Sequence, residues 1–481
     1  MPPEPSSATE ETKFLAAEQE VELHSHALKK ELRVVDLVGI QILNSIGYSW
    51  IGAAGKLGPA HLVLWLGAFL LYYIPSGIVV AHLANEMPLE GGIYQWVKLR
   101  FGPKLGFLAA WNLWFFNVLL ISGLGVQILG TAPYALKAEY AWVATDKAMI
   151  FSLSMAMVCL LMFIAWRGLG IGKWVSTLGG FATAILFLGI IAAAVPHWIA
   201  RSGLSNPIAV SMPAFSLLSL NLFGKMGFGA LSGIDSVGVF AGECRSKDVG
   251  GAIRKSVWFG APVIAMMMIL GTASVLTFSR PESIDVLMPP IQVLRLGAPQ
   301  LQQAPSVLII LLTLAGGSLC FSLLSRFPMV AGWDHLLPAW FSRLDSKYRT
   351  PYGSILFAGV MIMIFAVLGN LGAGNQEAYQ FLLNAALACY ACAYLLMFAI
   401  PLAARGERAS RLVRVAALSG FLMTLLFVVN SIFPIVEEQS AGWFSLRMVG
   451  LVGVLEVAGL LFYRRAMRMR VESAELVEAG S

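Results

Sequence analysis

The chain of 481 residues is 58% hydrophobic and 12% charged, with a mean hydropathy of +0.75 and a net charge of +6. Soluble domains carry roughly 25% charged residues, so this composition excludes a soluble globular protein and implies a polytopic membrane protein. Of the five cysteines, Cys159, Cys244, Cys320, Cys389 and Cys392, nearly all lie inside apolar runs without paired extracellular spacing, which argues against a disulfide-built secreted fold.

Residues 1–33 carry Glu, Lys and His and no continuous apolar core, so they read as a cytoplasmic N-terminal tail rather than a cleaved leader. At roughly 20 apolar residues per crossing, twelve spans follow: 34–57, 62–83, 104–130, 148–166, 172–195, 214–243, 256–279, 305–327, 353–370, 378–402, 415–436 and 442–463. Residues 464–481 form a C-terminal tail, giving one integral domain over 34–463. With both termini cytoplasmic, most of the 33 Lys and Arg residues gather on the inner side, while Lys56, Lys137, Lys147, Arg201, Arg280, Arg295 and Arg447 remain outside. The positive-inside rule favours that orientation. It also explains the basic balance without a nucleic-acid partner.

Two spans are interrupted by small residues: Asn44-Ser45-Ile46-Gly47 in the first and Gly227-Phe228-Gly229-Ala230-Leu231-Ser232-Gly233 in the sixth. Unwound backbone survives at mid-membrane only where protein or a watery cavity satisfies its polar groups. A pair of breaks five spans apart marks the binding site of a transporter with inverted repeats. The expected division is 34–195 for the first repeat, 214–402 for the second and 415–463 for two accessory helices. The competing reading is that these glycines let helices pack closely.

At the inner end of span two stands Glu86-Met87-Pro88-Leu89-Glu90-Gly91-Gly92-Ile93-Tyr94-Gln95-Trp96. Further on come Gly233-Ile234-Asp235 with Ala241-Gly242-Glu243, then Ser325-Arg326, Leu337-Pro338-Ala339-Trp340-Phe341 and Arg349-Thr350-Pro351. Through these motifs the chain resembles the amino acid-polyamine-organocation superfamily over about residues 34 to 465. The resemblance implies an all-α membrane fold of twelve helices, a 5+5 inverted repeat of leucine-transporter type, and secondary transport of amino acids or related amines. It also implies that Ser45, Ile46 and Gly47 hold a substrate carboxylate while Phe228 to Ser232 receive its ammonium, as half-helix ends of opposite polarity can.

Ionisable residues within spans are functional candidates. Asp235, just past the sixth-span break, reads either as a protonatable gate or as a helix cap. Lys225, a turn before the break, either snorkels outward or faces the cavity. Relatives that couple to protons often carry a lysine in span five, but Gly180-Phe181-Ala182-Thr183 has none. Sodium would instead use Ser318 and Ser322, at i, i+4 on span eight. Asn112 and Asn117 of span three and Cys320, Phe321 and Ser322 of span eight are candidates for the side-chain pocket. Glu86, Glu243 and Arg326 sit at inner helix ends, as gates or as topology anchors.

Other apparent motifs dissolve. Gly168-Leu169-Gly170-Ile171-Gly172-Lys173 precedes a membrane helix and lacks the Ser or Thr of a phosphate loop. The six histidines have no metal-ligand spacing, and Cys389 and Cys392 form a CxxC on a helix without His or acidic companions in sequence. No metal, cofactor or enzymatic constellation is expected. The expected partners are an amino acid, a coupling proton or counter-substrate, and membrane lipid, with a homodimer left open. One deep carboxylate suits an amino acid better than a polyamine. An amine permease of the same fold and a non-transporting amino acid sensor are the alternatives.

Overall fold

The computed structural model describes residues 30, 32–45, 47–87, 91–131, 134, 142–143, 146–206, 209–239, 243–246, 248–286, 288–301, 303–333, 337–369, 375–403, 409–433 and 441–479. Regular structure among them is helical, apart from two isolated bridges. In chain order the helices are α1 (Val34–Ser45), α2 (Ser49–Gly55), α3 (Gly58–Glu86), α4 (Ile93–Phe101), α5 (Pro103–Leu129), α6 (Lys147–Arg167) and α7 (Leu169–Ala200). They continue with α8 (Leu217–Gly224), α9 (Ser236–Val239), α10 (Val249–Phe278), α11 (Pro289–Gly297), α12 (Ala304–Trp333), α13 (Tyr352–Gly369), α14 (Asn375–Ala403), α15 (Arg411–Ser431) and α16 (Ala441–Ala479).

Among the described residues nine helices are long and apolar enough to cross a membrane. The first and sixth expected spans are not among them because each is divided, and the ninth, α13, is a shorter apolar helix. Lipid offers no hydrogen bonds, so helices are the favoured way to satisfy the backbone there. Outward faces are correspondingly apolar: Trp174, Leu178, Phe181, Ile185 and Leu188 of α7 and Val449, Val454, Val457 and Leu461 of α16 are exposed.

Inside, polar side chains find partners across helices. Trp65 Nε1 donates to Thr272 Oγ1 at 3.0 Å and Gln41 Nε2 to Tyr73 Oη at 2.8 Å, joining α3 to α10 and to α1. α7 packs along α12, and α14 along both α5 and α15. The α7–α12 approach depends on small residues: a Cβ on Gly179 would lie 2.1 Å from Ala315 Cβ.

The division of the first span falls where Asn44 and Ser45 end α1. Gly47 then turns the chain, its carbonyl accepting from Trp50 N at 3.1 Å, and α2 restarts at Ser49. Ile46 and the side chains of Asn44 and Ser45 lie outside the described residues. The sixth span corrects the sequence reading. Lys225–Gly229 forms wide helical turns, Ala230 and Leu231 stay helical, and the chain unwinds over Ser232–Asp235. Gly227 and Gly229 are packing glycines instead: added Cβ atoms would meet Met423 Cε at 2.6 Å and the Trp50 ring at 2.8 Å. The position that requires glycine is Gly233, with φ +110°.

Candidate substrate cavity

Both interruptions border one cavity of about 180 Å³. From the first come Gly47, Tyr48 and Ser49, and from the sixth Gly229, Ala230, Ser232 and Gly233. The walls are Phe116, Leu120, Ile121, Leu124 and Gln127 of α5, Thr313, Gly316, Gly317 and Cys320 of α12, and Leu383, Leu387 and Tyr390 of α14. The α12 residues recur at i, i+3, i+4 and i+7, one helical face. Gln127 Nε2 donates to Tyr48 Oη at 2.8 Å, fixing the turn after the first break against α5.

At the second break the amide of Gly233, which would close the next helical turn on Gly229, donates to Tyr394 Oη at 3.1 Å. Tyr394 in turn donates to Asp235 Oδ1 at 2.7 Å, and Tyr390 donates to the same oxygen. Tyr390 and Tyr394 lie at i, i+4 on α14, so one helix face delivers both hydroxyls. Asp235 is 3% exposed, and its carbonyl accepts from Gly238 N at 2.8 Å as α9 begins. Tyr390 lies flat on Phe116, with centroids 4.0 Å apart, and faces the cavity. It therefore connects the cavity wall to the buried carboxylate.

The sequence candidates separate accordingly. Gly47, Gly229, Ala230, Ser232, Gly233 and Cys320 border the cavity, whereas Phe228 and Leu231 are buried behind it. Phe228 packs among Tyr72, Tyr390, Tyr394 and Phe427. Asn112 faces elsewhere: it donates to Leu108 O at 3.0 Å, and it lies with Cys392 beside Glu456 of α16. Glu456 thus supplies the acidic companion that the CxxC lacks in sequence. Ser318 and Ser322 are not among the cavity residues, and Ser322 Oγ donates to Ser318 O at 2.9 Å. Lys225 neither snorkels nor faces the cavity; it is 1% exposed and its Nζ has no hydrogen-bond partner among the described residues. Glu86 is exposed at the end of α3.

Below the second break, Glu243 and Arg326 form a buried ion pair; Arg326 Nε donates to Glu243 Oε1 at 2.8 Å and Nη1 to Ser322 O at 3.1 Å. Beside it Leu32 N donates to Glu243 O at 3.0 Å and Arg245 N to Leu32 O at 2.9 Å. The segment leading into α1 is thereby stitched to the segment leaving α9. Sequence reasoning missed Tyr390, Tyr394, Thr313 and Glu456. Two tyrosines one turn apart in an apolar span, and a glutamate inside Val-Gly-Val-Leu-Glu-Val, were the available signals.

Divided helices around a shared cavity inside an apolar bundle define an integral membrane transport protein. The family model described as Amino acid permease matches residues 32–455, and the chain belongs to that family. It is similar to an uncharacterized transporter of Legionella pneumophila, 26% identical over 388 residues, covering 78% of this chain and 82% of that one. It is also similar to the aspartate/glutamate permease AcaP of Lactococcus lactis subsp. cremoris, 23% identical over 460 residues, covering 86% of this chain and 91% of AcaP. With the probable agmatine/putrescine antiporter AguD of Lactococcus lactis subsp. lactis it shares 21% identity over 350 residues, 71% of this chain and 72% of AguD.

Proposed function

We propose that the protein is a secondary active carrier that moves amino acids by alternating access, driven by a coupled proton or by exchange against a second substrate. The observation that carries this reading is that the two backbone interruptions meet at one cavity. A zwitterion needs donors for its carboxylate and acceptors for its ammonium, and divided helices offer both from the main chain. In this reading the carboxylate sits at Gly47 and Ser49, and the ammonium near the Gly229, Ala230 and Ser232 stretch.

The twelve-span, 5+5 arrangement is the architecture we assign, with α13 and the divided first and sixth spans completing the nine longer helices. Both termini are cytoplasmic, on the strength of the lysine and arginine distribution. The Glu243–Arg326 pair and the Leu32 bridge then form an inner gate in its closed state. Asp235 and Lys225 are the coupling candidates. Asp235 combines the gate and cap roles, since it holds two hydroxyls of α14 while opening α9.

Uptake of labelled amino acids into proteoliposomes, with and without a proton gradient or internal amino acid, tests the proposal. Saturable uptake supports a carrier. Binding without uptake would make the protein a sensor, and the absence of both would refute an amino acid site. Lys225→Met separates the coupling candidates: if proton dependence survives that change, Lys225 is not the coupling group.

A further inference from the structure

The cavity borders carry no Asp, Glu, Lys, Arg or His among the described residues. A charged side chain brought there would be buried without a counter-charge, the costly case for an ion removed from water. The nearest acid connected to the wall, Asp235, already holds the hydroxyls of Tyr390 and Tyr394, and Lys225 is not part of the lining. The extra side-chain charge of the substrates that name AcaP and AguD, dicarboxylic amino acids and dicationic amines, would meet no counter-charge on this lining.

Size narrows the choice further. An apolar cavity of about 150 Å³ holds a benzene molecule, so the 180 Å³ here suits a small amino acid rather than an aromatic one. The α12 wall shows where its side chain fits. A Cβ on Gly316 would meet nothing within 4 Å, which leaves a recess beside Thr313. Thr313 is 5% exposed and its Oγ1 has no hydrogen-bond partner among the described residues. Other buried helical threonines, Thr183, Thr272, Thr277 and Thr424, each donate to the carbonyl four residues earlier. Thr313 departs from that habit on a face that borders the cavity; its Oγ1 is itself shielded, so a turn about χ1 is what brings the hydroxyl to a ligand. An orphaned buried hydroxyl carries an energetic penalty that a ligand hydroxyl or thiol relieves.

We propose that the substrates are small amino acids with uncharged side chains, and that Thr313 selects those bearing a hydroxyl or thiol, such as serine, threonine and cysteine, over alanine and valine. This rests on the assignment of the cavity as the amino acid site. Gly316 provides the room for the substrate's side chain, and Thr313 is a specificity-determining residue.

The test is competition against labelled serine uptake in proteoliposomes, paired with thermal-shift binding, for serine, threonine, cysteine, alanine, valine, phenylalanine, aspartate, glutamate, arginine, agmatine and putrescine. Serine is expected to outcompete alanine by about tenfold, the scale of one buried hydrogen bond, and the charged ligands are expected not to compete. Thr313→Val should bring serine and alanine to near parity, Thr313→Ser should keep the preference, and Gly316→Val should exclude threonine and valine while sparing alanine. Tight binding of aspartate, glutamate or a diamine overturns the substrate class while leaving a carrier in place. A serine preference unchanged in Thr313→Val overturns the role of Thr313. Absence of binding and transport for every compound overturns the underlying site assignment instead.

Discussion

Replacing Glu243 with Gln tests whether the ion pair below the cavity is a gate. Glu243 and Arg326 side chains are 3% and 9% exposed, so water contributes little to either charge. Removing one member of such a buried pair costs about 3–5 kcal/mol in the state that buries it. Gln retains an acceptor and Arg326 keeps its bond to Ser322 O, which places the expected loss near the lower end, about 3 kcal/mol. At 1.4 kcal/mol per decade, the ratio of gate-closed to gate-open molecules falls by about two orders of magnitude. Cys320 on the cavity wall reports this directly. With the other four cysteines replaced, labelling by a membrane-impermeant maleimide from the face that bears Arg326 should accelerate by tens-fold or more in Glu243→Gln. Replacing both partners with Met should accelerate it far less, because no charge is left stranded. An unchanged labelling rate, in protein whose unfolding midpoint is also unchanged, would show that the pair anchors topology and gates nothing.

Other outcomes follow from single positions. Gly179→Ala should destabilise by about 1–3 kcal/mol, because the new methyl would lie 2.1 Å from Ala315 Cβ, whereas Gly180→Ala, whose Cβ meets only Gly39 O at 4.0 Å, should shift the thermal midpoint little. Gly233→Ala forces a side chain into φ +110°, at about 1–3 kcal/mol; it should lower both the midpoint and uptake, and full activity would refute the need for that backbone. On the loop after α12, the amides of Tyr348 and Lys347 donate to Asp345 Oδ1 at 2.8 and 2.9 Å and hold its carboxyl below the usual range. A depressed carboxyl contributes stability that is present above the unfolded value and lost as pH falls through the folded one. Hydrogen exchange at Lys347 and Tyr348, corrected for intrinsic rates, should therefore rise only below about pH 4, and that pH step should vanish in Asp345→Asn.

Composition and span length made the apolar helices legible, because lipid tolerates few alternatives. The first break was visible as Asn-Ser-Ile-Gly, and α1 does end at Ser45. The sequence puts the sixth break earlier than the structure does, since glycine serves both unwinding and close packing and sequence does not distinguish them. Gly227 and Gly229 accommodate Met423 and Trp50, while only Gly233 takes a positive φ. The i, i+4 pair Ser318 and Ser322 has the expected spacing, yet Ser322 satisfies itself on its own helix. Asn112 reads as a pocket residue in sequence because its neighbour Glu456 lies 344 positions away, in a helix that the span count makes an accessory. Pairings of that kind, like Glu243 with Arg326, are tertiary and leave no local trace.

The indole of Trp50 is wedged between the first interruption and the helical turn that precedes the second: Cβ atoms on Gly47 and Gly229 would come within 2.6 and 2.8 Å of the same ring. These three positions can therefore drift only in concert through descent. Among homologues, a larger residue at either glycine should be accompanied by a slimmer one in place of the tryptophan, so that the two divided spans stay shape-matched through a single side chain.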